Sequence, residues 1–490
     1  MSAVGRSQAE SVDLWQGLRK FAALPDWLEA ATTPEPFCNA LVAALPELAS
    51  GALEIRECDI GHVRIKRDVW TATYTLTMAA PGAAETQTHQ LRGTIIPPGR
   101  MHANSATDMP SAIPFGAQGW QISLPEVGVS LERAPDDVAL PGLPILTNRE
   151  SARELLQEHI RLAGPEYHDL RIESCDLKIM RYTVGSRCTV LYTLHYPPEL
   201  AHNRTWPEFV VAKTYKGGKG KHAYASMQAL WNSAFRKEAG VTLAEPLAYI
   251  PSMNVLVQGP IREQQTLQAL MASAMRTGSP AVAAELLAIL RKTAAGLAAL
   301  HQSGVLVGPV RTWDDELAEV QSVVDDLASA IPDIAGWAEP LLSRLHEKAQ
   351  EHGADPIGAV HGTFRPGQVL INNGEIGFID FDSFCRSEPA LDLSLFLRRT
   401  KDIVLNAVST GTAAPIDDTR RAALLAQADE LCEAFLNEYE AHHPVSRARI
   451  ALWEALDLLT LVLHSWTKVK PERLANAMFA LESHLRTMGF

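Results

Sequence analysis

One short stretch of this chain gathers side chains of the kinds that move protons or hold ions. It reads Val360-His361-Gly362-Thr363-Phe364-Arg365-Pro366-Gly367-Gln368-Val369-Leu370, and after it comes Phe378-Ile379-Asp380-Phe381-Asp382. Two apolar runs, Gln368 to Ile371 and Ile376 to Ile379, flank Asn372-Asn373-Gly374. An Asn-Gly pair between apolar runs is the strongest short hairpin signal. Asp380 therefore sits where the second strand ends, and His361 opens the loop that leads into the first. The hairpin brings an imidazole, a hydroxyl, an amide and a carboxylate together: His361, Thr363, Gln368 and Asp380.

This arrangement resembles the catalytic loop and metal-binding segment of the aminoglycoside phosphotransferase and choline kinase superfamily, relatives of the protein kinases. The family pattern is His-Gly-Asp, four residues, Asn, a hairpin, then Asp-Phe-Gly or a similar triplet. Here it reads His361-Gly362-Thr363, four residues to Gln368, then Asp380-Phe381-Asp382. Downstream, Glu388-Pro389-Ala390-Leu391-Asp392-Leu393 is similar to the family's Pro-x-x-Asp-Leu helix start. The resemblance implies a catalytic loop containing His361, Thr363 and Arg365. It implies ATP with Mg2+ as cofactor, with Gln368, Asp380 and, by strand alternation, Asp382 near the metal. His361 is expected to support the loop rather than act as base.

Two positions depart from the pattern: the base aspartate is Thr363, and the metal-binding asparagine is Gln368. In a kinase-type site the aspartate takes the hydroxyl proton, and the asparagine and the triplet's aspartate hold the metal. Thr363 cannot take a proton near neutral pH, and Gln368 places its amide oxygen one methylene further out. A positioned base contributes about 10² to 10⁴ in rate, roughly 3 to 5 kcal/mol of barrier. Its loss cripples transfer more than nucleotide binding, because phosphoryl transfer depends mainly on positioning and charge stabilisation.

The elements that must position these residues can be read upstream. Phe209-Val210-Val211-Ala212-Lys213 is an apolar strand ending in lysine, which resembles the strand whose lysine pairs ATP phosphates. Arg181-Tyr182-Thr183-Val184-Gly185-Ser186-Arg187 reads as the turn between two strands, where the family's phosphate-covering loop lies, with Gly185 its one glycine. The family lysine needs a carboxylate from the next helix. Lys221 to Phe235 is helical in period but contains no acid, so Gln228 is the expected core-facing polar residue, with Glu238 in reserve. Gln258-Gly259-Pro260 reads as the hinge, whose backbone meets the adenine edge in the family. Helices are expected at Thr266–Met275, Pro280–His301, Leu317–Leu327, Ile334–Glu351, Asp417–His443 and Ser446–Arg486. In the last of these Trp453, Asp457, His464, Ser465 and Trp466 could line an acceptor pocket or simply pack.

The first 148 residues carry the same pattern as the segment after them. Leu53-Glu54-Ile55-Arg56-Glu57-Cys58-Asp59-Ile60 lines up with Leu170-Arg171-Ile172-Glu173-Ser174-Cys175-Asp176-Leu177, and Arg64 matches Arg181 at the same offset. One residue later the frame slips, and Tyr74-Thr75-Leu76 matches Tyr192-Thr193-Leu194. Each copy has a short amphipathic helix upstream, so the repeating unit reads as a helix and three strands. Leu91-Arg92-Gly93-Thr94 stands opposite Val211-Ala212-Lys213-Thr214, which leaves the first copy without a lysine. A proline- and acid-rich linker is expected at Pro135–Pro144.

The fold class expected is α+β: a bilobal protein-kinase-like fold with a β-rich lobe at 149–260 and a helical lobe at 261–490. An extra α+β domain at 1–148, a duplicated lobe unit, precedes it. At 490 residues the chain has room for roughly two to four domains. Net charge of −13 disfavours nucleic acid and anionic membranes as partners. Six scattered cysteines without a CxxC pair point to reduced thiols and a cytoplasmic setting. No apolar run reaches membrane-spanning length. Three readings are open: a nucleotide-binding pseudokinase or strongly impaired phosphotransferase, an active ATP-dependent small-molecule kinase with an atypical site, or a transferase moving another part of the nucleotide, such as AMP. A small-molecule acceptor or a protein partner would meet residues 1–148 and the C-terminal helices.

Overall fold

The computed structural model describes residues 24–61, 63–66, 69–98, 115, 120–133, 139–200, 206–407, 417–468 and 471–490, with Trp15, Gly17, Leu18 and Phe21 near the N-terminus. The linker expected at Pro135–Pro144 lies partly outside the described residues. The chain divides into two compact units: Met1–Pro135 with Asp314–Glu351 and Ala455–Phe490, and Asp136–Trp313 with His352–Glu454.

The first unit is built on an antiparallel sheet. Its strands lie in the order Glu54–Ile60, Val69–Ala79, Gln87–Ile95, Val129–Arg133 and Gln121–Leu124, and Arg64–Lys66 also pairs with Val69–Ala79. The long strand Val69–Ala79 alternates because successive side chains point to opposite faces. Trp70, Ala72, Tyr74, Leu76 and Met78 are buried, while the threonines between them are half-buried. Phe37 of the helix Pro34–Ala44 stacks on Tyr74, with ring centroids 4.2 Å apart. Trp466 stacks on Phe21 at 5.3 Å and meets Trp70 edge-on, while Trp337 packs on Phe21. Sequence reading puts Asp314–Glu351 and Ala455–Phe490 in one helical lobe from 261 to 490. They group with the first 135 residues instead, because Trp337 and Trp466 bury their rings in this core.

The second unit has a β-rich and a helical part. Its five-stranded antiparallel sheet runs Pro246–Ile250, Val255–Gln258, Phe209–Tyr215, Arg187–His195 and Ser174–Thr183. The helix Arg149–Arg161 starts at Asn148, whose side chain accepts the Ser151 N–H, a standard N-cap. It buries Leu155, Leu156 and Ile160 in the core formed by Cys188, Val190 and Tyr192 of the sheet. The helical part packs Leu267–Thr277, Pro280–His301, Ala390–Ala407 and Asp418–His442 around stacked phenylalanines, with Phe396 and Phe435 centroids 4.1 Å apart. The expected C-terminal helix at Ser446–Arg486 is two, Arg447–Thr467 and Pro471–Thr487. Pro471 opens the second, at the position where a missing N–H costs nothing. Among the described residues no helix is long and apolar enough to cross a membrane.

The duplication holds at the level of strand register. Cys58 pairs with Leu76, Asp59 with Thr75 and Ile60 with Tyr74. Cys175 pairs with Leu194, Asp176 with Thr193 and Leu177 with Tyr192. Tyr74 donates to Ala31 O, three residues before its helix, and Tyr192 donates to Leu146 O, three residues before its own. The same register moves one alignment. Thr189 pairs with Lys213, and its counterpart Thr71 pairs with Thr94. The residue at the lysine position of the first copy is thus Thr94, not Gly93.

Candidate functional site

The hairpin forms as the sequence requires. Val369–Asn372 pairs antiparallel with Glu375–Phe378, and Asn373 and Gly374 both take positive φ, 51° and 76°, as a type I′ turn demands. His361 to Gln368 loops into it. One buried carboxylate holds that loop. Asp392, at the start of the helix Ala390–Ala407, accepts the backbone N–H groups of His361, Gly362 and Phe364 at 2.6, 2.9 and 3.2 Å. Burial works to raise its pKa, but His301 and these bonds hold it below the usual carboxylate range. Gly362 has φ 81°, and a Cβ there would lie 2.1 Å from Ser383 O, so no other residue fits. His361 Nε2 bonds Ile379 O at 2.9 Å, and its Nδ1 is buried without a partner.

Asp380 takes the left-handed conformation, φ 75° and ψ 48°, and Phe381–Ser383 is a 3₁₀ turn. Such a conformation at a non-glycine residue is costly and clusters at functional sites. The turn, not strand alternation, puts Asp380 and Asp382 side by side. Lys213 Nζ lies 3.0 Å from Asp380 Oδ1 and 3.7 Å from Asp382 Oδ1. Tyr215 OH donates to Asp382 Oδ1 at 2.8 Å, and Arg187 Nη1 is 4.0 Å from Asp382 Oδ2. Gln368 Nε2 donates to Asp380 Oδ2 at 3.3 Å and to Thr363 Oγ1 at 3.4 Å. Arg365 Nη2 stands 3.9 Å from Asp380 Oδ2.

Charge follows from this geometry. Burial works against the Lys213 ammonium, but Asp382 and Asp380 outweigh it and raise its pKa. Burial also works against the Asp380 carboxylate, yet Lys213 holds its pKa well below the usual range. Asp382 is raised by burial, with the Asp380 charge adding to it. Tyr215 is pushed well above a normal phenol by burial beside Asp382.

The structure therefore brings together Lys213, His361, Thr363, Arg365, Gln368, Asp380 and Asp382. It does not bring in Gln228, which is exposed and donates to Tyr224 OH; Glu238 is exposed too. The helical turns facing the core carry Ala223, Ser226 and Met227 instead, and Asp382 supplies from the loop the carboxylate absent from the helix. Gly185, with φ 66°, forms the turn between Ser174–Thr183 and Arg187–His195. Gln258 is buried in the last strand, and the Gly259 N–H is spent on Glu245 O. Trp453 meets Trp313 edge-on and Trp466 lies in the first unit's core, so the aromatic cluster is packing. Sequence reading misses Tyr215 and Arg187. Both are legible, since Tyr215 is two residues from Lys213 and so on the same face.

Residues 239–443 match the sequence model of the phosphotransferase enzyme family. That segment, which holds the hairpin loop and Asp392, is similar to the aminoglycoside phosphotransferase and choline kinase-like superfamily. The family match begins downstream of Lys213, so the place of Lys213 rests on its register and its contact with Asp380. Similar solved structures include a choline kinase from Cryptosporidium parvum, at 11% identity over 69% of this chain and 95% of that one, with TM-score 0.45. The aminoglycoside phosphotransferase APH(4)-Ia aligns at 14% identity over 69% of this chain and 97% of its own, with TM-score 0.43. A glucosamine kinase aligns at 14% identity over 94% of this chain and 100% of its own, with TM-score 0.45. No curated protein matches.

A magnesium ion, which this family implies, needs several hard oxygens in near-octahedral array. Here every oxygen of Asp380 and Asp382 already faces a donor or cation: Lys213, Gln368 and Arg365 around one, Tyr215, Lys213 and Arg187 around the other. Gln368 Oε1 is the one buried oxygen of this set without a partner. As arranged, these residues do not fit the ion.

Proposed function

We propose that the second unit binds a nucleoside polyphosphate through Lys213 and transfers its phosphoryl group weakly or not at all. The observation that carries this reading is the contact of Lys213 Nζ with Asp380 Oδ1 at 3.0 Å, beside a loop whose base position is Thr363. A buried ammonium poised at a loop of this shape is a phosphate anchor. Both carboxylates within reach are engaged by cations, so neither is free to accept a proton from an acceptor hydroxyl. The nucleotide base would lie at the Gln258–Gly259 hinge, and the phosphates would lie under the Gly185 turn.

A second reading, an active small-molecule kinase, is favoured by one feature: Asp392 still holds the loop with three backbone bonds. Thr363→Asp separates the two. With only the base missing, this change should raise ATP turnover at least tenfold, since a positioned base is worth about 10² to 10⁴. Unchanged turnover would favour the binding-only reading. Binding itself is read from melting temperature. ATP should raise it, and Lys213→Ala should abolish the rise. No rise in the unmutated protein would remove the basis of the proposal.

A further inference from the structure

The cluster around Asp380 and Asp382 carries more positive charge than its own carboxylates need. Arg181 pairs with Thr189 across the sheet, and Thr189 pairs with Lys213, so the three form one row on one face. Arg187 pairs with Tyr215 in the next row of that face. Arg365 approaches from the loop and reaches Asp380 at 3.9 Å. Three cations thus lie within 4.0 Å of the two carboxylates, and Arg181 stands in the same row as Lys213. Arg399, on the helix Ala390–Ala407, is balanced by Asp402 at 3.1 Å. The guanidinium groups are close enough to burden one another. Burial lowers the Arg365 pKa first, and Arg399, Arg181 and Arg187 lower it further.

We propose that Arg181, Arg187, Lys213 and Arg365 clasp the phosphate chain of a nucleoside polyphosphate directly, doing the charge neutralisation that a divalent cation would otherwise do. The inference rests on the nucleotide-binding reading above and adds its mode. Guanidinium groups bind phosphate oxygens bidentately, and a pair flanking the Gly185 turn is placed to close over them. Lys213 exchanges Asp380 for phosphate when the ligand enters, and Asp382, fixed by Tyr215, keeps the ammonium in position. A metal ion would meet Lys213 and two guanidinium groups within 4.0 Å of its carboxylate ligands. Repulsion at such range is strong inside a protein.

Calorimetry of the full chain with ATP, once with EDTA and once with excess Mg2+, tests this. The affinity in EDTA should equal or exceed that in Mg2+ within about threefold, and adenosine should not bind. Inorganic tripolyphosphate in EDTA should compete with ATP. Arg187→Gln and Arg365→Gln should each weaken ATP at least tenfold in EDTA, while Asp380→Asn, which frees Lys213, should bind ATP as well as or better than the unmutated protein. Binding only with Mg2+, or its loss in Asp380→Asn with the fold intact by circular dichroism, overturns the metal-free mode and leaves nucleotide binding standing. No ATP binding in either buffer overturns both.

Discussion

The two sheets, each with a helix at its edge, match in strand register and differ at one end of a shared row. Each has a buried tyrosine, Tyr74 or Tyr192, anchored to a carbonyl three residues before its helix. Each has an Arg-Thr row across the strands, Arg64 with Thr71 and Arg181 with Thr189. The row ends in Thr94 in one and Lys213 in the other. The copies share the buried tyrosine and the Arg-Thr row, and they differ at the end of that row, where Lys213 of the second copy meets Asp380 and Asp382 of the hairpin loop. The lysine is thus a part of the site rather than of the fold.

That division can be tested from its strongest point. The second unit depends on Asp392, which has no counterpart among the features shared by the copies. Asp392→Ala leaves three loop N–H groups and the buried His301 without their acceptor. Breaking a buried charge network costs about 3 to 5 kcal/mol, which urea denaturation would read directly. A loss below about 1 kcal/mol would mean that the loop stands without its brace.

Acid should act on the second unit for the same reason. Asp380 and Asp392 both have pKa values below the ordinary range in the folded protein. A carboxylate depressed on folding contributes stability that is full above its unfolded pKa, about 4, and is lost as pH falls through its folded value. The urea midpoint should therefore hold from pH 7 to about 5 and fall steadily below about 4. In Asp380→Asn, which cannot titrate there, the fall should be shallower. An identical slope would show that the carboxylate is not depressed.

The matched tyrosines give a smaller, symmetrical test. Tyr74→Phe and Tyr192→Phe each remove one buried hydroxyl bond to a carbonyl. A typical bond of this kind is worth about 1 kcal/mol, and an orphaned buried acceptor about 1 to 3. Equal losses would show that the shared anchor does the same work in both copies. A cost in one alone would break the equivalence.

Much of this was legible in the chain, and what was not has physical causes. The Asn373-Gly374 turn and the Cys-Asp…Tyr-Thr-Leu repeat are local signals, and local signals fix strands and turns. The spacing from His361 to Asp392 marked the loop through its resemblance to the family pattern, and in the structure Asp392 binds the loop's N–H groups. The partner of Lys213 was not legible, because it came from a 3₁₀ turn 169 positions away (382 − 213) rather than from the adjacent helix. The helices Ala335–Glu351 and Arg447–Thr467 carry ordinary amphipathic patterns, and nothing in a pattern says which core a buried Trp337 or Trp466 will fill.

The smallest effect is the most telling for the comparison. Thr94 is half-buried at the lysine position of the first copy, so Thr94→Lys puts the missing ammonium into the matching row beside Thr71. The long side chain can extend its charge to water while its stem packs on the sheet, so the stability change should stay within about 1 kcal/mol. ATP binding should not change at all. An ammonium holds phosphate tightly only where it is desolvated and fixed, and in the second copy Asp382, itself held by Tyr215, does that to Lys213. If Thr94→Lys created a second nucleotide site by calorimetry, the sheet would be sufficient by itself. The hairpin loop would then be an accessory to a site that the duplicated strands already contain.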